Sequence, residues 1–363
     1  MMTTKQWRIV EEQSSEQSAD ALSEQLAEAA QLLRTGKLVA FPTETVYGIG
    51  ADARNSDAVS GIFKAKGRPS DNPLIVHIAD VSQLNGLVHP YPQLASRLME
   101  QFWPGPLTIV LPVLPDAVSP LVTAGLATVG VRMPDHTAAL ALIRGAGCPV
   151  AAPSANRSGR PSPTTAAHVL EDLDGAISGI VDGGPTGVGL ESTVVELTGP
   201  NAIRILRPGG ITAEQLRHAV PEAEVDAPPP PTESAAAEAE APRSPGMKYT
   251  HYAPRGVMEI VQGDAAKVAA YIEQQVAAAK SRGEKTGVLA FAERAPQFAA
   301  DAVLSYGSES QLAQAAQRLY AALRQFDAEG VQRIWAEGCE EQGIGMALMN
   351  RLAKAAGNRI TQL

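Results

Sequence analysis

A cluster of cations lies in the first fifth of the chain. Lys64, Lys66 and Arg68 alternate there and stop before Pro69. Arg68 is flanked by Gly67 and Pro69, and because proline restricts the backbone, the guanidinium can be aimed. An aimed guanidinium suits the oxygens of a phosphate or a carboxylate. The alternative is that the cations only complement the C-terminal end of a helix that ends near Lys66.

The neighbouring segments predict that this cluster lies beside the end of a sheet. Residues 37–41 (KLVAF) and 74–78 (LIVHI) are short apolar, β-branched runs bounded by glycine or proline, which is typical of buried strands. A helix from about residue 57 to residue 66 separates them. Polar residues on loops just past strand ends are where α/β sheets place ligand chemistry. We therefore expect a ligand site near the polar residues of this span, which are Thr43, Glu44, Thr45, Lys64, Lys66, Arg68, Ser70, Asn72 and His77. By itself, a histidine on an apolar strand, such as His77, is by default a core residue.

Three further polar stretches adjoin predicted core strands. The strand in residues 127–134 (ATVGVRMP) ends on Arg132. A charged residue at the end of an apolar strand needs either a charged or polar partner or access to solvent at the opening of a cleft. The strand in residues 149–153 (PVAAP) precedes a loop whose serines and asparagine are also ordinary turn formers. Residues 183–193 (GGPTGVGLEST) are glycine-rich. They lead into a strand rather than a helix, so they fit neither the P-loop nor the dinucleotide fingerprint.

Length, charge and cysteine content restrict the class of protein. A chain of 363 residues can form two or three domains, and its net charge of −9 argues against a protein that coats a polyanion. The two cysteines, Cys148 and Cys339, have no metal-ligand spacing, which favours buried, reduced thiols. No secretory signal or membrane-spanning run is visible, so we expect a cytoplasmic protein with no membrane partner.

The composition divides the chain into three parts. Residues 1–220 combine apolar strands with amphipathic helices and are predicted to form an α/β catalytic domain. Residues 221–256 begin with a proline-, alanine- and glutamate-rich linker and end in the segment SPGMKYTHYAP, whose aromatic and basic residues break that pattern. Residues 257–363 alternate strands and helices, which predicts a smaller Rossmann-like, three-layer α/β domain without an evident catalytic group.

Six motifs follow one another in the first 210 residues: PTETVYGIG, KAKGRPSDNPLIVHI, GVRMPDH, PSANRSGRPSPT, GLESTVVE and LRPGG. Together they resemble the YrdC-type threonylcarbamoyl-AMP synthase family. The segment SPGMKYTHYAP and the second α/β domain resemble the long, two-domain form of that family. The resemblance implies a YrdC-like catalytic domain with a twisted, open, mixed sheet around a concave, positively lined cleft.

The resemblance also implies a reaction. The family joins L-threonine, bicarbonate or carbon dioxide, and ATP into L-threonylcarbamoyl-AMP and releases pyrophosphate, which makes its members nucleotidyltransferases. The product serves the threonylcarbamoylation of the adenosine beside the anticodon of certain tRNAs. Both reactants are anionic, so such a protein must collect cations and position two substrates, and it needs no covalent nucleophile.

Roles for individual residues follow from the same motifs. The residues expected to be catalytic are Lys66, Arg68, Ser154 and Asn156. Those expected to bind ATP are Lys66, Arg68, Asn72, Thr128, Ser154, Ser162, Arg207, Tyr249 and Tyr252, with Tyr252 favoured of the two tyrosines. Those expected to bind threonine are Thr45, His77, Arg132, Ala152 (through its backbone) and Ser192. Mg²⁺ is expected to accompany ATP through its phosphates, and no protein ligand is assigned to it.

The segment SPGMKYTHYAP is expected to cover the site. Threonylcarbamoyl-AMP is a mixed anhydride, so a lid that excludes water would protect it. Expected partners beyond the substrates are the downstream tRNA threonylcarbamoyl transferase proteins, and a direct contact with tRNA is left open. Two alternatives are a non-enzymatic RNA-binding maturation factor and a carbamoyl-transfer enzyme that acts on a protein thiol. The net charge disfavours the first, and the lack of zinc-finger cysteines disfavours the second.

Overall fold

The computed structural model describes residues 3–9, 17–228 and 252–363. Within them the short apolar runs become strands and the amphipathic runs become helices, in two sheets of eleven and five strands. The strands of the larger sheet are β1 (Lys5–Arg8), β2 (Val39–Phe41), β3 (Gly48–Asp52), β4 (Ile75–His77), β5 (Leu107–Pro112), β6 (Thr128–Arg132), β7 (Val150–Ala151), β8 (Gly179–Asp182), β9 (Thr193–Gly199), β10 (Ala202–Arg207) and β11 (Glu224–Asp226).

The larger sheet is mixed and open, with the strand order β1-β8-β2-β3-β7-β4-β6-β5-β9-β10-β11. Strand β4 pairs with β6 in parallel and with β7 antiparallel, which places strands from three motifs side by side at its centre. The helices of this domain are α1 (Gln17–Arg34), α2 (Ser56–Lys66), α3 (Gln93–Phe102), α4 (Pro120–Thr123), α5 (Thr137–Ala146), α6 (Ala166–Leu173) and α7 (Ala213–Ala219). A 3₁₀ helix spans Val81–Gly86.

The smaller sheet is entirely parallel, with the strand order β14-β13-β15-β12-β16. Its strands are β12 (Val257–Gln262), β13 (Thr286–Ala290), β14 (Ala302–Ser305), β15 (Arg333–Glu337) and β16 (Ile360–Gln362). Its helices are α8 (Ala265–Ser281), α9 (Leu312–Ala328) and α10 (Ile344–Ala355), and a 3₁₀ helix spans Ala295–Gln297. Helix α8 shares one hydrophobic cluster with the sheet, and α9 and α10 share another, which confirms the three-layer prediction.

The structure differs from the sequence prediction at several element boundaries. Strand β3 was not predicted, because three of its five residues are glycine or alanine, which carry little β propensity. Strand β11 lies inside the stretch assigned to the linker and pairs in parallel with β10, so the larger sheet continues beyond residue 220. Both cysteines are free and buried, as predicted.

No helix in the described part of the chain has both the length and the apolar character that a membrane crossing requires.

Candidate active site

One cleft collects side chains from all of the predicted motifs. The predicted site residues that line it are Thr45, Lys66, Arg68, His77, Arg132, Ala152, Ser154, Asn156, Ser192, Arg207 and Tyr252. They come from both ends of the first domain's sequence and from the end of the linker, so the fold brings together groups that are far apart along the chain.

Three of the predicted residues that the structure describes do not line this cleft. Asn72 is fully buried, and Thr128 lines a smaller neighbouring cavity with Thr108 and Gly130. Ser162 is also fully buried and lies behind the wall, where its hydroxyl donates to Glu191. Tyr249 and the rest of SPGMKYTHYAP before Tyr252 fall outside the described residues. Their predicted roles remain predictions.

Helix α2 delivers the cations to one side of the cleft. The side chain of Asn55 caps its first turn by accepting from two backbone N–H groups, and Gly67 ends it in the left-handed conformation at φ 60°. The alternating cations then separate, because Lys64 is exposed whereas Lys66 and Arg68 line the cleft. Arg68 donates a long hydrogen bond of 3.4 Å to the Pro73 carbonyl. Of the three cations, Lys66 and Arg68 are therefore placed where a ligand in the cleft could reach them.

Lys66 is buried and holds the loop that follows β7. Its Nζ donates to the carbonyl oxygens of Ser154 and Asn156, each at 2.5 Å, and to Asn156 Oδ1 at 3.3 Å. Burial lowers the pKa of Lys66 well below its usual range, and the neighbouring charge of Arg68 lowers the pKa further. The same loop is tightened by Ser154 Oγ, which donates to Asn156 Oδ1 at 2.5 Å. Three of the four residues predicted to be catalytic, Lys66, Ser154 and Asn156, thus form one connected polar network.

Arg132 lines the cleft from the end of β6. Its Nε donates to the Gly105 carbonyl at 3.2 Å and its Nη1 donates to Thr45 Oγ1 at 2.9 Å. Its Nη2 lies 2.5 Å from Glu44 Oε2, so the partner that the sequence required for Arg132 is a carboxylate. His77 is paired with Arg132 in the β4–β6 register. Burial, followed by the charge of Arg132, lowers the pKa of His77 to about 3, so this ring is neutral near pH 7.

Ser192 lines the cleft just before β9 and contacts Thr108 on β5 and Arg207 on β10. Its Oγ lies 2.8 Å from Thr108 Oγ1, and Arg207 Nη2 donates to the Ser192 carbonyl at 2.9 Å and to its Oγ at 3.2 Å. Strand β9 begins one residue later and pairs with both β5 and β10, which fixes all three side chains. The predicted threonine and nucleotide residues are therefore in direct contact at this point.

Glu191 is a cleft residue that the sequence did not single out. Its carboxylate accepts hydrogen bonds from Ser162 at 2.6 Å, from Arg351 Nε at 2.7 Å, and from the Tyr320 hydroxyl at 2.9 and 3.1 Å. Burial raises its pKa, but the charges of Arg351 and Arg207 and the bond from Ser162 outweigh burial and bring the pKa to about 2. Glu191 is therefore an ionised, buried carboxylate beside the cleft.

Comparison with known proteins was made on the whole chain. Residues 31–209 match the family model Sua5_yciO_yrdC, described as "Telomere recombination", and residues 211–357 match the model of the C-terminal domain of threonylcarbamoyl-AMP synthase. The threonylcarbamoyl-AMP synthase of Bacillus subtilis is 52% identical over 359 residues, which is 99% of each chain. The chain belongs to the threonylcarbamoyl-AMP synthase family. The family member from Pyrococcus abyssi is 47% identical, with 92% of this chain and 95% of the relative covered.

Solved structures of this family share the fold over nearly the full chain. The crystal structure of P. abyssi Sua5 complexed with L-threonine superposes with a TM-score of 0.88 at 44% identity and covers 99% of both chains. That agreement includes both domains, so the mixed sheet and the parallel sheet described above are features of the threonylcarbamoyl-AMP synthase family.

Two acidic residues were missed for the same physical reason. Glu44 and Glu191 both belong to motifs that the sequence singled out, yet neither received a role. Each is a charged residue in a segment that is otherwise small or apolar, and each is largely buried with an arginine partner. The reasoning that identified Arg132, that a charge at a buried position needs a partner, could have identified them too.

Proposed function

We propose that this chain makes L-threonylcarbamoyl-AMP and pyrophosphate from L-threonine, bicarbonate or carbon dioxide, and ATP. The observation that carries the proposal is that one cleft is lined both by Lys66 and Arg68, at and just past the end of α2, and by Arg132 and His77, from β6 and β4. The first pair offers cations for phosphates, and the second, with its polar neighbours, offers a guanidinium and small polar groups for an amino acid. The full-length similarity to named threonylcarbamoyl-AMP synthases supports the same conclusion.

The chemistry requires two bond-forming steps. The neutral amine of threonine adds to carbon dioxide and loses a proton, which gives a carbamate. A carbamate oxygen then attacks the α-phosphorus of ATP, and the bond from that phosphorus to the bridging oxygen breaks as pyrophosphate leaves. Both reactants are anions, so the residues contribute by holding them close together and by neutralising charge on the leaving group.

We assign the phosphate side of this reaction to the α2 end and the loop after β7. Arg68 would contact the phosphates directly, and Lys66 would keep Ser154 and Asn156 in place. The negative charge of bound phosphates would favour the protonated form of Lys66, against the burial that lowers its pKa. The other groups proposed for ATP are Asn72, Thr128, Ser162, Arg207, Tyr249 and Tyr252. Mg²⁺ would arrive on the phosphates of ATP. The described residues contain no group of three or more histidine, cysteine or acidic side chains that could hold a metal ion.

We assign the amino-acid side to Arg132 and its neighbours. The P. abyssi relative has been crystallised with L-threonine, and Arg132 is the cation of this cleft that can pair with an amino-acid carboxylate. Thr45, His77, Ser192 and the backbone of Ala152 would bind the rest of threonine. The product would pass to tRNA threonylcarbamoyl transferase proteins in the cytoplasm, with or without a contact between tRNA and this chain.

Pyrophosphate release tests the proposal directly. The purified full chain should release pyrophosphate from ATP only when threonine and bicarbonate are both present. Equal release without threonine would show that the cleft serves a different ATP-dependent reaction. No dependence on ATP at all, combined with binding of RNA, would favour the non-enzymatic maturation factor.

A further inference from the structure

The carboxylate of Glu191 is the point at which the second domain reaches the cleft. Glu191 lines the cleft and is only 7% exposed. Ser162 donates to it from the first domain, whereas Tyr320 on α9 and Arg351 on α10 donate to it from the second. An ionised carboxylate offers about four acceptor positions, and these three donors occupy most of them, with the Tyr320 hydroxyl lying between the two oxygens. Glu191 is therefore occupied with holding other side chains in place.

The ring of Tyr252 packs against the same two residues of the second domain. Its centroid lies 5.2 Å from that of Tyr320, and the guanidinium carbon of Arg351 lies 5.7 Å from it. Tyr252 adopts φ 66°, a conformation that is costly for a large side chain and persists only where the surroundings hold it. The next residue, Ala253, donates its N–H to the Gly159 carbonyl at 2.9 Å. Tyr252 is thus fixed from both domains at the wall of the cleft.

We propose that Tyr320 and Arg351 are positioning residues for the reaction. Through Glu191 they fix the hydroxyl of Ser162, and through their ring contacts they fix Tyr252. The nucleotide side of the cleft is then complete only when the second domain is docked. This inference rests on the proposed function, because the roles of Ser162 and Tyr252 toward ATP belong to that proposal. It gives the second domain a function that its own sequence did not reveal.

Other contacts between the domains do not involve Glu191. Arg324 donates to Asp172 at 2.7 Å and to the Pro161 carbonyl at 2.6 Å. Gln317 donates to the Thr186 carbonyl at 3.2 Å, beside a close backbone approach in which a Cβ at Gly189 would overlap Cα of Gln317. These contacts would keep the domains together without Arg351. A change at Arg351 or Tyr320 should therefore act locally on the cleft rather than separate the domains.

The test uses single substitutions in the full chain. Arg351→Met and Tyr320→Phe should each raise the KM for ATP by roughly 3- to 30-fold, the range for residues that act on a site without touching its ligand. The KM for threonine should change less: the logarithm of its fold-change should be under half of the logarithm of the fold-change in the KM for ATP. Gln317→Ala is the matched control, because it removes a contact from the same helix that does not reach Glu191, and its KM for ATP should stay within about twofold.

A double variant separates positioning from a general loss of packing. In Arg351→Met the carboxylate of Glu191 is left buried without its cation, and Glu191→Gln in the same chain removes that stranded charge. The double variant should regain thermal stability. Its KM for ATP should stay raised, because neither Ser162 nor Tyr252 is held as before. A double variant that recovers the KM as well would overturn the positioning role.

A second measurement does not depend on activity, so it tests the positioning role even if the proposed function is wrong. Hydrogen exchange of the backbone amides in residues 158–165 should be faster in Arg351→Met than in Gln317→Ala, with or without any product. Wild-type KM and wild-type exchange in both Arg351→Met and Tyr320→Phe would overturn the inference. If Arg351→Met does not fold, Tyr320→Phe decides alone, since it removes one hydroxyl only. Wild-type protein that makes no threonylcarbamoyl-AMP contradicts the proposed function instead.

Discussion

Replacing Arg132 by methionine separates ligand binding from structural pairing at the threonine end of the cleft. Arg132 is 4% exposed, and its guanidinium contacts Glu44, Thr45 and the Gly105 carbonyl. Removing one partner of a buried ion pair typically costs about 3–5 kcal/mol, because the other charge is stranded. The Glu44 side chain is 13% exposed, so water screens it little. We therefore expect Arg132→Met to lower the free energy of unfolding of the first domain by an amount of that order.

The same variant should also lose threonine affinity. A hydrogen bond to a charged group contributes about 1.5–3 kcal/mol, which corresponds to roughly 10- to 150-fold in the dissociation constant. Adding Glu44→Gln removes the stranded carboxylate, so the double variant should recover most of the stability. It should not recover threonine binding, because the new amide side chain supplies no cation for the carboxylate of the amino acid.

Two measurements on each variant decide between these outcomes. Thermal unfolding followed by near-ultraviolet circular dichroism reports stability, and calorimetric titration with L-threonine reports affinity. Arg144→Met is the control, because Arg144 is exposed and belongs to α5 rather than to the cleft. If the double variant binds threonine as tightly as wild type, Arg132 serves only to neutralise Glu44, and the carboxylate of threonine binds elsewhere.

Three further predictions concern single groups of the cleft. Arg68→Ala should lower kcat/KM by roughly two to four decades, which corresponds to about 3–5 kcal/mol. Arg68→Lys should restore only part of the lost activity, because an ammonium lacks the planar, two-pronged donor geometry of a guanidinium. A fully active alanine variant would return Arg68 to a helix-end role. If Ser192 is the partner of the threonine hydroxyl, Ser192→Ala should narrow the preference for threonine over 2-aminobutyrate, measured as a ratio of kcat/KM values. An unchanged ratio would place that contact elsewhere. His77 is neutral near pH 7 in the folded protein, because its pKa is lowered to about 3 from the ordinary value of 6.5. Between pH 3 and pH 6.5 the unfolded chain therefore binds more protons at this residue than the folded protein does. The free energy of unfolding should fall as the pH decreases from 6.5 toward 3. His77→Gln should reduce that slope by up to about 1.4 kcal/mol per pH unit in acid unfolding curves, and an identical slope would show that the ring is protonated in the folded protein.

The sequence predicted the fold class and most of the cleft because those depend on local patterns. Apolar runs between glycine and proline became strands β2 and β4, and the helix that ends at Lys66 was placed within one residue of its observed limits. The sheet is mixed, and β2 runs opposite to β4 and β6, so strand ends alone do not place polar residues on one side of it. Thr45, His77 and Arg132 nevertheless line one cleft, which the sequence motifs indicated and the strand pattern did not.

The remaining features depend on contacts between segments that are far apart. Strand β11 has only three residues and is specified by its pairing with β10, which no local pattern encodes. Tyr320 and Arg351 lie inside ordinary amphipathic helices, where a tyrosine and an arginine usually face solvent or pack as structural groups. Their contact with Glu191 depends on how the two domains dock, over separations of 129 and 160 residues. Such a site can be recognised only once the tertiary structure is known.

The identity of the product tests the central claim most directly. The full chain is incubated with ATP, L-threonine and ¹³C-labelled bicarbonate, and the nucleotides are separated at once and identified by mass spectrometry. The account predicts a product with the mass of threonylcarbamoyl-AMP that carries one ¹³C and is absent when threonine is omitted. If the only nucleotide products are AMP or ADP, or if a threonine adduct forms without the label, the cleft does not join a carbamate to the α-phosphate.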